Sequence, residues 1–266
     1  MKIKVQYATK NPCFKKAINI VPEGLMLHSI GVPQPSAGVM AKTWDKSDAG
    51  TAVQAVLQED GTVIQLLPWN YRGWHCGSGP KGSGNSTHIG IEMTEPNTIR
   101  YTGGASWKDG DPKKTEKFVR GTYKTAVELF AKLCKDYNLD PLKDGVIISH
   151  SEGCKRGIAS NHGDVEHIWS KFGLSMKGFR KDIAEKMGKT DSSNKPTNTS
   201  TSKDDGSFLV QITTNSLNIR ESATATSKKV GSVCKGEVYT IVDTTGNWGK
   251  LKSGAGYISL NYTKKI

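Results

Sequence analysis

The sequence has no stretch approaching the roughly 18 consecutive apolar residues that a membrane-spanning helix needs. Its first ten residues are basic but lead into no apolar segment, so a cleaved secretory signal is not expected. The five cysteines, Cys13, Cys76, Cys134, Cys154 and Cys234, are odd in number, lie far apart and form no CxxC pair. That spacing argues against a thiolate zinc site and a disulfide framework, and suits a chain that folds in a reducing compartment. No helix-turn-helix, RNP-like or zinc-finger pattern is present, so the net charge of +12 does not by itself make a specific nucleic-acid binder. The compact HExxH metal motif is also absent.

What is present is a chain of 266 residues, enough for one large domain or two modest ones. Mean hydropathy is −0.49 and the charges are well mixed, which excludes a wholly disordered chain. The positive charge attracts polyanions: nucleic acid, anionic lipid or anionic wall polymers. The clearest break is residues 190–206, which contain no Ala, Val, Ile, Leu, Met, Phe, Trp, Tyr or Cys and read as a flexible linker. Domains are therefore expected at residues 1–189 and 207–266.

The first part alternates strands and helices. Residues 23–29 read as a buried strand, and residues 52–58 and 63–67 as a hairpin around Asp60-Gly61. In residues 88–93, strict alternation puts His88, Gly90 and Glu92 on one face and Ile89, Ile91 and Met93 on the other. Spacings of three and four among Phe118, Val119, Tyr123, Val127, Phe130 and Cys134 predict a helix over residues 115–138. Residues 145–150 form a short strand running into His150, and residues 172–187 a last helix. This predicts an α/β domain: a mixed sheet with packed helices. The second part has six short alternating runs separated by turn residues, the pattern of a small all-β barrel.

Of six histidines, His28 and His150 stand at the ends of apolar strands, where a sheet presents side chains at its rim. Residues 150–167 hold three histidines and three acids. A catalytic zinc site needs three N or O ligands and an open position for water. His28, His150 and one of the pair His162 and Asp164 supply them. The metal lowers the pKa of its water to about 7 and polarises a carbonyl. Glu92, a carboxylate on an otherwise apolar strand, is placed to accept the water's proton and return it to a leaving amine. A nearby cation or hydrogen-bond donor stabilises the oxyanion. His75 is a candidate for lining the substrate groove. His88 is weighed as a support for Glu92 against plain packing, His167 reads as structural, and Cys154 and Lys155 read as loop.

These residues resemble the zinc-dependent N-acetylmuramoyl-L-alanine amidases of the type-2, peptidoglycan-recognition-protein-like superfamily. The matching stretches are Leu25-Met-Leu-His28, the Asp60-Gly61 hairpin, Trp74-His75-Cys-Gly77, His88-Ile-Gly-Ile-Glu92 and the segment from His150 to Trp169. The second part resembles a bacterial SH3 domain through Leu217-Asn-Ile-Arg220, Gly246-Asn-Trp248-Gly-Lys-Leu251 and Gly256-Tyr-Ile258. The resemblance implies an endolysin-like peptidoglycan hydrolase that cuts the bond between N-acetylmuramic acid and L-alanine with Zn2+. It implies His28, His150 and Asp164 as metal ligands, Glu92 as catalytic acid/base and His162 as oxyanion partner. His162 stands where the superfamily often has Lys, and the interval from His150 to Asp164 is longer than in the shorter members. Both leave the exchange of His162 and Asp164 open. The alternatives are a non-catalytic peptidoglycan-binding protein and a bacterial autolysin with the same chemistry. In the second part, Trp248 and Tyr257 are candidates for stacking on wall polymer. Without a signal, the implied route is synthesis in a bacterial host's cytoplasm and release to the wall through a phage pore.

Overall fold

The computed structural model describes residues 1–188, 208–234, 237–251 and 255–265. The expected linker at residues 190–206 lies outside the described residues. The chain divides into two compact units, Met1–Lys195 and Pro196–Ile266.

In chain order the first unit comprises β1 (Lys2–Val5), α1 (Pro12–Lys16), β2 (Gly24–Ser29), α2 (Ala37–Trp44), β3 (Ala55–Leu57), β4 (Thr62–Gln65), β5 (His88–Met93), β6 (Ile99–Gly103), β7 (Ser106–Asp109), α3 (Pro112–Asp136), β8 (Ile147–Ser149), α4 (His150–Arg156), α5 (Glu166–Trp169) and α6 (Met176–Lys186). Six strands form one sheet in the order β1-β4-β3-β5-β2-β8, and β6 and β7 form a separate hairpin. All neighbours in the sheet are parallel except β3 and β4, which form the expected hairpin around Gly61.

The two faces of the sheet follow from the period of two along each strand. Leu25, Leu27, Ile89, Ile91, Ala55 and Leu57 pack with Val119, Phe130, Phe179 and Ile183, so α3 and α6 cover one face. Residues one step away point oppositely. Val56 and Ile64 meet Met40, Ala41 and Trp44 of α2, while Met26 and Ile148 meet Cys76 and Ala159. His28, Gly90 and Glu92 share this second face, between α2 and the segment that carries Cys76.

α3 starts three residues before the predicted point. Asp111 caps it by accepting from Lys114 N–H, and Pro112 occupies the first turn, where a missing N–H costs nothing. α6 starts later than predicted because Ser175 is its cap. Cys154 and Lys155 lie in α4, not in a loop: Ser149 and Glu152 form a reciprocal capping box that starts a helix at His150.

The second unit comprises β9 (Phe208–Ile212), β10 (Ser216–Arg220), β11 (Lys229–Cys234), β12 (Val238–Thr245), β13 (Trp248–Leu251), β14 (Tyr257–Ser259) and β15 (Thr263–Lys265). They form an antiparallel sheet in the order β11-β10-β14-β13-β12-β9-β15. Val210, Ile212, Leu217, Ile219, Val233, Ile241, Leu251 and Ile258 are its buried core. Trp248 and Tyr257 are both half-buried and stand outside that core cluster.

Candidate active site

Strand register brings the key residues together. His28 at the end of β2 lies level with Glu92 on β5. On the other side Leu27 pairs with Ser149 of β8, so the next residue, His150, emerges beside His28. Ser149 Oγ accepts Glu152 N–H and donates to Glu166 Oε1 at 2.7 Å. Ser151 N–H donates to the Asp164 carbonyl at 3.1 Å. The loop that carries Asp164 is thereby tied to the start of α4.

The result is a tight trio. His28 Nδ1 lies 3.0 Å from His150 Nδ1, and Asp164 Oδ2 lies 3.3 Å from the first and 3.6 Å from the second. All three residues are buried, at 1%, 3% and 7% exposure. Metal–ligand bonds of about 2.0–2.1 Å in a tetrahedron place ligand atoms about 3.3–3.4 Å apart. The observed separations bracket that value, and the two N and one O donors are a set that zinc accepts, so the residues fit the ion. Burial alone would raise the Asp164 carboxyl, but His28 and His150 beside it hold it below the usual range. Burial and His28 push the His150 imidazole down to about 4, so it is neutral and free to offer a lone pair.

Glu92 faces the same cavity. Its Oε2 is shut off from solvent and has no hydrogen-bond partner among the described residues. Burial, then the negative charges of Asp164 and Glu95, push its carboxyl well above the ordinary range. A carboxylate oxygen buried without a partner is costly, and such groups cluster where chemistry is done.

His162 stacks on His150, with ring centres 4.4 Å apart and planes 5° from parallel. Its Nδ1 is 3.8 Å from Asp164 Oδ1, and its side chain is 60% exposed at the cavity mouth. His75 also lines the cavity, but both of its nitrogens are engaged. Nδ1 is 2.9 Å from His28 Nε2, and Nε2 is 3.2 Å from the His88 carbonyl. Burial and the neighbouring His28 push its pKa well down, so the ring is neutral. His88 turns away from Glu92: its nitrogens meet Thr87 Oγ1 at 2.8 Å and the Gly145 carbonyl at 2.9 Å, and its ring fills the space over Gly24. Plain packing is its role.

Sequence reasoning missed a second cluster. Glu95, 1% exposed, accepts from Tyr101 Oη at 2.8 Å and from Gly31 N–H at 3.0 Å. Tyr101 Oη is 2.7 Å from His167 Nε2, and Trp107 Nε1 donates to the His167 carbonyl. This ties the β6–β7 hairpin to the segments that follow His28 and Asp164. Burial raises Glu95 to about 7 against the lowering effect of its two hydrogen bonds. The alternation of Ile99 and Tyr101 before Gly103-Gly104 marks the hairpin that carries Tyr101, but not what Tyr101 touches.

The cavity measures about 880 Å3. Its lining includes the apolar side chains of Ile30, Val32, Val39, Met40 and Val53 and the polar ones of Tyr101, Asn161, His162 and His167. That size is in the range of ligand-binding clefts, and the trio is part of its lining.

Comparison with known proteins agrees with this geometry. A family model described as N-acetylmuramoyl-L-alanine amidase matches residues 19–165, and one described as a bacterial SH3 domain matches residues 215–264. The N-acetylmuramoyl-L-alanine amidase CwlA of a Bacillus species is 34% identical over 58 residues, which is 22% of this chain and 22% of that protein's length. In fold, the first unit is similar to Staphylococcus aureus hydrolase AmiA solved with its ligand, with a TM-score of 0.55 and 18% identity over 72% of this chain and 87% of that one. It is also similar to the catalytic domain of PlyG, with a TM-score of 0.51 and 16% identity over 74% and 100% of the two chains. The amidase model spans more than half of the sequence and includes His28, Glu92, His150 and Asp164: the chain belongs to the N-acetylmuramoyl-L-alanine amidase family.

Proposed function

We propose that this protein is a peptidoglycan hydrolase that cleaves the amide between the lactyl group of N-acetylmuramic acid and L-alanine, in the manner of a phage endolysin. One observation carries the reading. Two imidazole nitrogens and a carboxylate converge within 3.6 Å beside Glu92, whose Oε2 is buried without a partner among the described residues. His28, His150 and Asp164 hold zinc. His162 is not the third ligand in this reading, because the three donors that converge are those of His28, His150 and Asp164, and His162 stands at the mouth. Bound there, zinc supplies an acidified water and a Lewis acid for the carbonyl.

The chain's own residues do the rest. Glu92 takes a proton from the attacking water and delivers it to the departing amine; burial, which raises its carboxyl pKa, helps it to hold the proton between the two steps. His162, exposed and stacked on His150, donates to the oxyanion from the cavity mouth. The apolar and polar lining residues together orient the substrate. The second unit holds the enzyme on the bacterial wall, which raises the local concentration of substrate. The net charge of +12 adds attraction to anionic wall polymers. No described helix is long and apolar enough to cross a membrane. Release to the wall through a phage pore after synthesis in the host cytoplasm completes the reading.

The test is mass spectrometry of purified sacculi digested by protein stripped with chelator and then replenished with zinc. New L-alanine amines that appear only after replenishment are expected. Wall binding without any new amine identifies a non-catalytic binder and refutes the proposal, as does cleavage of a peptide or glycosidic bond.

A further inference from the structure

A histidine binds a metal through one nitrogen only if its proton sits on the other. For His28 to offer Nδ1 to the site, its Nε2 must carry the hydrogen. The only polar atom that the described residues place at that nitrogen is His75 Nδ1, at 2.9 Å. His75 therefore has to accept there. It accepts at Nδ1 only if its own hydrogen is on Nε2, and Nε2 faces the main-chain carbonyl of His88 at 3.2 Å. A carbonyl oxygen only accepts. The order of donation is thus set from the backbone outward: His75 Nε2–H to the His88 carbonyl, His28 Nε2–H to His75 Nδ1, and the Nδ1 lone pair of His28 into the site.

The fold makes deliberate room for this relay. A Cβ on Gly90 would lie 2.4 Å from the His75 ring atoms Cγ and Cδ2, and one on Gly73 would lie 2.8 Å from Cδ2. Asn85 Oδ1 accepts His75 N–H at 2.8 Å and Cys76 N–H at 3.1 Å, which fixes the backbone that carries the ring. A side chain aimed at substrate does not need its ring seated in a slot cut from a neighbouring strand, with both nitrogens already committed.

We propose that His75 is a positioning residue that fixes the tautomer and ring orientation of His28 for metal binding, and is not a substrate contact. The proposal rests on the metal reading above. Partners of this kind typically contribute about 10- to 100-fold in metal affinity.

The experiment uses the full chain in three forms: wild type, His75→Phe and His75→Gln. Phenylalanine fills the slot but offers no acceptor, whereas glutamine offers a carbonyl oxygen within reach. Imidazole 15N–1H correlation spectra of chelator-stripped protein report the tautomer of His28, and competition with a chromophoric chelator reports zinc affinity. Wild type is expected to show His28 protonated on Nε2. H75F is expected to lose that single tautomer and to bind zinc about 10- to 100-fold more weakly, with H75Q restoring much of both. If H75F does not fold, Gly90→Ala displaces the ring by its Cβ and is expected to give the same two changes. His28 held on Nε2 in H75F with zinc affinity within twofold of wild type overturns the proposal. So does a change confined to KM for peptidoglycan, which makes His75 a substrate contact. Wild type that shows the stated tautomer but binds no zinc supports the relay and refutes the metal reading instead.

Discussion

Glu92→Gln is the sharpest probe of the chemistry. The substitution keeps the shape of the side chain and removes its ability to take a proton. Glu92 lies level with His28 across the β2–β5 pair, and its Oε2 has no partner to lose. Neither the trio of His28, His150 and Asp164 nor its 3.0–3.6 Å spacing should change. General acid–base groups typically contribute about 10²- to 10⁴-fold to rate. That corresponds to roughly 3–5 kcal/mol of transition-state stabilisation. The variant should therefore release L-alanine amines from sacculi at about 10²- to 10⁴-fold lower kcat while binding zinc as the wild type does. Its folding stability should also hold up better with rising pH. The folded wild type keeps a proton on Glu92 to higher pH than the unfolded chain does, so ionising this buried acid destabilises the fold as pH rises. A neutral amide has no such cost. Release of amines at a rate within threefold of wild type, with zinc bound, would remove Glu92 from the mechanism.

Three further outcomes are expected. Glu95 is raised from 4.5 to about 7, so the folded state binds more protons than the unfolded state between those values, and stability falls as pH rises through the window. The loss is on the order of 3 kcal/mol, and urea titrations from pH 4 to 8 should show Glu95→Gln with a correspondingly flatter profile; an unchanged profile refutes the assignment. Zinc at about 1,000 times its Kd should stabilise the chain by about 4 kcal/mol, read as a rise in the melting temperature of the first unit that His150→Ala abolishes; an equal rise in the variant would place the ion elsewhere. Phe130 is fully buried and meets Phe179 edge-on at 5.0 Å, so Phe130→Ala should cost about 3–5 kcal/mol in denaturant unfolding, and a loss below 1 kcal/mol would mean that the α3–α6 layer does not close the core.

The sequence by itself determined the alternation of residues 88–93, and with it which face carries Glu92. A period of two is a local property of an extended chain. It likewise determined the apolar stripe of α3 and the strand-end positions of His28 and His150, and the resemblance named Asp164 as their partner. Only the tertiary structure decided what each of these groups touches. His28 and His150 are 122 positions apart, and parallel register, which no local pattern encodes, sets them 3.0 Å from each other. That Asp164, and not His162, lies within 3.6 Å of both histidines depends on how one loop is tied to a helix cap. His75 sits over Gly90 for a reason visible only once two strands and a loop are in place: a glycine in the sequence states that a side chain is missing, and the fold shows what fills the space. The trio of Glu95, Tyr101 and His167 was illegible for the same cause, since hydrogen bonds between segments leave no periodic trace in the chain.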